Sequence, residues 1–385
     1  MTDSPRTFRI LTYGFILLGI GISITPVAWP SISADLGLPI ADLGIVTLVY
    51  GAGYTAATLS GGWVSERMTT GMILISGAAV AIVGLSAVAL TPSWIPLLVA
   101  MFAFGIGGGT EDVATNAYVA VRRGPREMGA IHGVFGIGAI IGPLLVTGLI
   151  ALGATWRLSF AALGVGQLIF ILAMAVYARH VTIPTKKSTG DNSRLGLSAP
   201  LTWSIGIFLA YAAVAGTTGV WAFTYLTEDR GFSESASGLI VAAFWTAFAA
   251  SRFIYGLTND RYDARLIMRI AMAGTIVSLL VFWWNPTPAI GVLALIASGF
   301  AHGSFFPVQI LMTARRFGSL HAPSVIGYEV GAVNVGNAVI PALVGILVGS
   351  IGLQVVPPVL VVAAVILTFT LEMLARTQRR AKANA

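Results

Sequence analysis

Twelve long apolar stretches constrain this chain more than any other feature of its 385 residues. A helix rising 1.5 Å per residue needs about 20 apolar residues to cross the hydrocarbon of a bilayer. Stretches near 8–29, 41–62, 72–91, 95–121, 128–152, 158–177, 201–227, 233–257, 265–284, 288–313, 323–349 and 353–375 meet that length. Most connections between them are very short. The exception is 178–200, a polar segment that contains Pro184, Lys186, Lys187, Gly190, Asp191 and Asn192. The pattern predicts an all-α integral membrane protein of twelve transmembrane helices in two six-helix, pseudo-symmetric bundles. The bundles are 1–177 and 201–385, and 178–200 is their cytoplasmic linker.

Composition supports lipid as the main solvent. Only 10% of residues are charged and 56% are hydrophobic, against about a quarter charged in soluble domains. Mean hydropathy is +0.87. The 45 glycines fall inside apolar runs, where small residues let membrane helices approach closely. With no cysteine, disulfides, thiolate metal sites and cysteine nucleophiles are excluded. Four histidines without metal-pair spacing argue against a metal cofactor. Arg6 and Arg9 precede the first apolar run, but its length exceeds a signal-peptide core and no small-residue cleavage site follows. It reads as a retained first span.

Basic residues test the count. With both termini cytoplasmic, 19 of the 22 Lys and Arg fall on the cytoplasmic side, only Arg157 and Arg230 lie opposite, and Arg252 lies within a span. This is the bias of the positive-inside rule. A wrong number of spans would scramble it. The net charge of +7 therefore reflects topology in a cell membrane rather than nucleic-acid binding.

The two halves carry weak matches in the same order. Gly62-Trp-Val-Ser-Glu66-Arg67 follows span 2, and Gly256-Leu-Thr-Asn-Asp260-Arg261 follows span 8. Span 4 ends in Arg122-Arg123 and span 10 in Arg315-Arg316, while spans 5 and 11 carry Pro143 and Pro341. Such duplication marks transporter folds. On these residues the chain resembles the major facilitator superfamily, whose loop after span 2 reads Gly-x-x-x-Asp-Arg-x-Gly-Arg-Arg. The first copy here has Glu66 for Asp, with Thr69 and Thr70 in place of the basic tail. Trp156-Arg157-x-x-Phe160 before span 6 resembles another recurring element of that superfamily. The resemblance implies that Glu66, Arg67, Asp260 and Arg261 act in gating. Read alone, they are topogenic charges.

Carboxylates at membrane depth are functional candidates by default. Glu111, Asp112 and Glu329 are the embedded acids. Asp112 precedes Arg122 by ten residues, which places it ~15 Å from the cytoplasmic edge, near the midplane of a core ~30 Å thick. Asn116 is one turn further on the same face, whereas Glu111 is rotated about 100° away. An acid at that depth is able to take and release a proton as access to water alternates. Structural pairing is the other reading of Asp112. Glu111-Asp112-Val-Ala-Thr-Asn116-Ala-Tyr and His132-Gly-Val-Phe-Gly-Ile-Gly resemble the fucose permease-like branch. There, an acid four residues before an Asn on span 4 serves sugar recognition and proton coupling. The resemblance implies those roles for Asp112 and Asn116, with His132 among the polar residues of span 5. The branch's span 1 acid, four residues before a Pro, is replaced here by Pro26 ahead of Pro30. Glu329 holds nearly the place in span 11 that His132 holds in span 5. The candidates for proton coupling are thus Asp112, His132 and Glu329. Arg252, four residues before Gly256, is expected to snorkel to the cytoplasmic face.

Candidates for binding a polar, uncharged solute are Asn116, Gln309, Asn334, Asn337, Trp29, Trp221 and Trp245. Amides pair with hydroxyls, and aromatic faces cover the apolar face of a sugar. Gln309 corresponds to Asn116 when the two Arg-Arg pairs are aligned. Interfacial anchoring is the other reading of each Trp. Gly129, Gly138, Gly142 and Pro143 match part of a pattern that marks drug–proton antiporters, although Val146 and Thr147 replace its final Gly-Gly. The expected function is a secondary active transporter, with no enzyme activity and no cofactor. It works as a monomer that couples protons to a small sugar-like solute by rocker-switch alternating access. Efflux antiport of drugs or metabolites is the alternative, and a non-transporting membrane sensor is the alternative of another class. No Gly-x-x-x-x-Gly-Lys loop for ATP occurs.

Overall fold

The computed structural model describes residues 5–123, 125–178, 181–182, 198–258 and 263–383. These form twelve helices: α1 (Pro5–Leu36), α2 (Leu43–Ser65), α3 (Thr70–Leu90), α4 (Trp94–Arg122), α5 (Pro125–Ala151), α6 (Trp156–Ala175), α7 (Ala199–Thr224), α8 (Glu234–Thr258), α9 (Ala264–Trp284), α10 (Pro288–Gly303), α11 (Phe305–Ile351) and α12 (Val356–Ala383). Among the described residues, twelve segments are long and apolar enough to cross a membrane. The correspondence of helices to spans breaks once. The tenth span, Pro288–Phe317, is α10 plus the first turns of α11, and the eleventh, Val325–Ile351, is the C-terminal part of α11.

Contacts divide the chain into two compact units, Met1–Ser188 with Leu226–Ala242, and Thr189–Tyr225 with Ala243–Ala385. In the first unit α1 packs on α5 and α6, α3 on α4 and α6, and α2 on α4. The second unit repeats most of this pairing. There α7 packs on α11 and α12, and α9 on α10 and α12.

Glycine explains how closely these helices approach, because the neighbours of several glycines are main-chain carbonyls. A Cβ at Gly105 would lie 2.1 Å from the Tyr50 carbonyl oxygen, and one at Gly109 would lie 2.4 Å from that of Tyr54. In the second unit Gly299 and Gly303 meet the carbonyl oxygens of Phe244 and Phe248 at 2.7 and 2.3 Å. All four members of the second set stand 194 residues after their counterparts, the interval that also separates Gly62 from Gly256. The Arg-Arg pairs are 193 apart. The repeat therefore loses one residue between Gly303 and Arg315, the stretch in which the helix is interrupted at Ser304.

The Trp156-Arg157 element ties helix ends together. The Trp156 indole N–H donates to Asp35 Oδ2 at 3.3 Å, and Arg157 pairs with the same oxygen. Arg157 also donates to the Thr91 carbonyl at 3.0 Å, its guanidinium lies 4.3 Å over the Trp156 ring, and Phe160 meets that ring edge-on. One residue pair thus joins the C-terminal ends of α1 and α3 to the start of α6.

Candidate functional site

The Gly105 and Gly109 contacts bring α2 against the face of α4 that carries Asp112. Tyr50 and Tyr54, one turn apart on α2, consequently project towards that acid. The Tyr54 hydroxyl donates to the Asp112 carboxylate. Asn116 Nδ2 donates to Asp112 Oδ1 at 2.8 Å and to the Asp112 main-chain carbonyl at 3.0 Å. Gly108, one turn before Asp112, leaves room beside the Tyr50 hydroxyl, which would lie 3.2 Å from a Cβ there. The ring of Tyr50 rests on Phe104, with centroids 5.1 Å apart. Asp112 and Asn116 are half-buried. Among the described residues no Lys or Arg pairs with Asp112. A carboxyl held only by neutral donors is able to gain or lose a proton without breaking an ion pair.

Tyr50 and Tyr54 are absent from the sequence reading. Their i, i+4 spacing was a signal, but only the α2–α4 contact says which face of α2 they share with the acid. His132 lies on α5, exposed, with its ring edge-on to Phe15 of α1 at 5.8 Å. Glu66 and Arg67 are exposed at the end of α2 and 3.7 Å apart, and Arg67 also donates to the Trp63 carbonyl at 2.8 Å and covers the Trp63 ring. Asp260 and Arg261 lie outside the described residues.

Two of the Trp candidates are committed elsewhere. Trp29 is fully buried and donates to the Ile40 carbonyl at 2.8 Å, fastening the turn after α1. Trp221 is fully buried and donates to the Pro341 carbonyl at 3.0 Å, joining α7 to α11. Trp245 is half-buried, packed on Gly219 and on the rings of Phe244 and Phe248. Asn334 and Asn337 are half-buried on α11, and the Asn337 side-chain oxygen would lie 2.6 Å from a Cβ at Gly216 on α7.

The second unit holds polar groups that the sequence reading placed differently or missed. Arg252 does not snorkel. Its Nε donates to the Gly303 carbonyl at 2.9 Å, Nη2 donates to the Tyr211 hydroxyl at 3.3 Å, and the guanidinium lies 4.3 Å from the Phe248 ring. The interruption at Ser304 makes this possible, because a helix end exposes carbonyls with no partner in the helix. His302, fully buried beside it, donates from Nδ1 to the Ser298 carbonyl at 2.5 Å. Its Nε2, an acceptor among the rings of Tyr211, Phe244 and Phe248, has no hydrogen-bond partner among the described residues. Gln309 is fully buried, and neither side-chain atom has a hydrogen-bond partner among the described residues. Glu329 is also fully buried. Its Oε1 accepts from Ser204 and from Thr313 at 2.7 Å, and Arg316 interacts with it electrostatically. Oε2 has no partner among the described residues.

Twelve membrane-length segments, a repeated packing scheme and a carboxylic acid held by neutral donors fit a membrane carrier. The chain belongs to the Major Facilitator Superfamily, whose family model matches residues 11–204 and again 203–385. Among its relatives, the Glucose/mannose transporter GlcP of Bacillus subtilis (strain 168) is 21% identical over 351 residues, covering 87% of this chain and 84% of that one. Sodium-dependent glucose transporter 1 of Homo sapiens is 22% identical over 383 residues, covering 89% and 73%. The crystal structure of a D-xylose-proton symporter superposes with a TM-score of 0.75 at 16% identity, covering 94% of this chain and 96% of that one. The chain is a multi-pass membrane protein and a secondary transporter of small solutes.

Proposed function

We propose that this chain is a proton-coupled symporter of a small, polar, uncharged solute of the sugar class. The observation that carries this reading is the Asp112 cluster. It combines an acid, two hydroxyl-bearing rings and a carboxamide, with no cation among the described residues engaged to the acid. The same groups suit a polyhydroxylated solute, since hydroxyls both donate and accept. Buried hydrogen-bonding groups without a partner among the described residues, at Gln309 and His302 in the second unit, support a polar solute there too. Burying such groups without partners is unfavourable unless something completes them. Two relatives named for glucose transport support the substrate class. Asp112 is the coupling acid in this reading, with His132 and Glu329 as further titratable members. Asn116, Gln309, Asn334, Asn337 and Trp245 are the solute contacts. Trp29 and Trp221, whose N–H groups are occupied, help shape the site through packing.

In the proposed cycle the halves 1–177 and 201–385 alternate by a rocker-switch motion, with the termini and 178–200 on the cytoplasmic side. Glu66, Arg67, Asp260 and Arg261 latch one state of that cycle. Replacing Asp260 and Arg261 is expected to slow cycling severalfold with little change in solute affinity. A loss of affinity alone would count against the latch.

A second reading, sodium coupling, is favoured by the name of the human relative. Export of drugs or metabolites is the other alternative, and it rests on the partial antiporter-like pattern of α5. Gly138 and Gly142, part of the antiporter-like pattern, lie against Ile16, Gly19 and Ser23 of α1, and close packing accounts for them. The test is proton movement in proteoliposomes on addition of single sugars, nucleosides and drugs. The proposal expects a sugar-triggered proton flux in the direction of the solute. A sodium-dependent sugar flux without proton movement would replace it with the second reading.

A further inference from the structure

Glu111 stands next to Asp112 in sequence but faces another part of the fold. It is 1% exposed and turned towards α3 and α6. A Cβ at Gly77 of α3 would lie 3.2 Å from Glu111 Cγ, so the stem of the side chain lies against the backbone of α3. Opposite it on α6 stands Gln167, 2% exposed, whose Nε2 donates to Glu111 Oε2 at 3.4 Å. The two remaining polar atoms of the pair, Glu111 Oε1 and Gln167 Oε1, are both buried. Neither has a hydrogen-bond partner among the described residues.

Both orphaned atoms are acceptors, which identifies what is missing. An ionised carboxylate has no donor to offer an amide oxygen, whereas a carboxylic acid has one. A single proton on Glu111 Oε1 satisfies both atoms at once. The acid O–H then donates to the amide oxygen while the amide N–H donates to the acid carbonyl. The ionised alternative would place a charge in this interior with one long hydrogen bond, which is unfavourable without a paired cation. No cation among the described residues is at hand. The ionisable groups facing Glu111 are Asp112 on its own helix and Tyr50 and Tyr54 from α2. Helix α3 contains no ionisable residue, and the one on α6, Arg157, is engaged by Asp35 and Thr91.

We infer that Glu111 is a resident proton-binding site, holding its proton against Gln167 in a cyclic acid–amide pair that joins α4 to α6. This site is separate from the one at Asp112 and does not rest on the transport reading. The two adjacent acids divide their tasks by face. Asp112 meets exchangeable neutral donors, and Glu111 is sealed between helices as a neutral acid. The pair also fixes the rotation of α4 and thereby the direction in which Asp112 points.

Infrared difference spectroscopy on the full-length protein in lipid tests this. At neutral pH the wild type is expected to show a protonated carboxylic-acid carbonyl band that disappears in Glu111→Gln and persists in Asp112→Asn. The replacement amide in Glu111→Gln can form the equivalent amide–amide pair with Gln167, so the fold is retained. Wild-type and Glu111→Gln spectra that coincide in the acid region overturn the inference, because Glu111 is then ionised. Should Glu111→Gln not yield folded protein, Gln167→Leu supplies the reading. Loss of the amide acceptor is expected to shift the acid band to higher frequency, and a band that stays in place overturns the pairing.

Discussion

Asp112→Asn is expected to abolish solute accumulation driven by a pH gradient while leaving solute exchange across the membrane intact. A pH difference of one unit is worth about 1.4 kcal/mol per proton, enough for about tenfold accumulation when one proton moves with each solute. The variant should bring that ratio to about one. The substitution is nearly isosteric, and the Asn side-chain oxygen can still accept from Tyr54 and Asn116, which now donate to Asp112. The site therefore keeps its shape and loses only the ability to release a proton. Uptake measured in proteoliposomes with and without an imposed gradient, alongside exchange of labelled solute, separates the two effects. Accumulation that survives the substitution would remove Asp112 from the coupling step.

Gly138→Ala is expected to destabilise the protein by about 1–3 kcal/mol, the range for overpacking a tight interior contact. A Cβ there would lie 2.1 Å from the Ile16 carbonyl oxygen, and the reciprocal Gly19 would place its own Cβ 2.1 Å from the Phe135 carbonyl oxygen. The two helices interlock at main-chain distance, so even one methyl group forces α1 and α5 apart. Gly148→Ala on the same helix is the matched control, since nothing lies within 4 Å of its Cβ position. There the gain in helix propensity, about 1 kcal/mol in water, should leave stability equal or higher. Thermal melts of both variants in the same detergent decide the matter. Equal melting temperatures would mean that the α1–α5 contact is looser than described.

The spans and the repeat were legible in the sequence because both rest on one-dimensional quantities: the length of apolar runs and the order of charges and glycines. Asp112 and Asn116 were legible as a pair for the same reason, since helical spacing alone puts them on one face. The opposite facing of Glu111 followed from the same rotation. What periodicity cannot supply is the identity of the neighbour. Tyr50 and Tyr54 reach Asp112 only because glycines on α4 admit α2. Trp29 and Trp221 read as pocket aromatics until their N–H groups are found on the carbonyls of Ile40 and Pro341. Arg252 reads as a snorkelling residue because its distance from the helix end allows it. The carbonyl that holds it inside is that of Gly303, at the interruption before Ser304 and four residues ahead of Pro307, whose ring nitrogen has no N–H to donate back to it; the proline is the signal that distance along the helix overlooks. The loop with Asp260 and Arg261 was legible as a motif but lies outside the described residues.

The glycine contacts also set limits on genetic repair. Where the obstruction to a larger residue is a side chain, as at Gly14 against Phe170, a second mutation that trims the neighbour is able to restore the fit. At Gly105, Gly109 and Gly303 the obstruction is a carbonyl oxygen of Tyr50, Tyr54 or Phe248, and no codon change removes a carbonyl. A selection for revertants should therefore return intragenic suppressors at the first kind of position and only true reversion to glycine at the second.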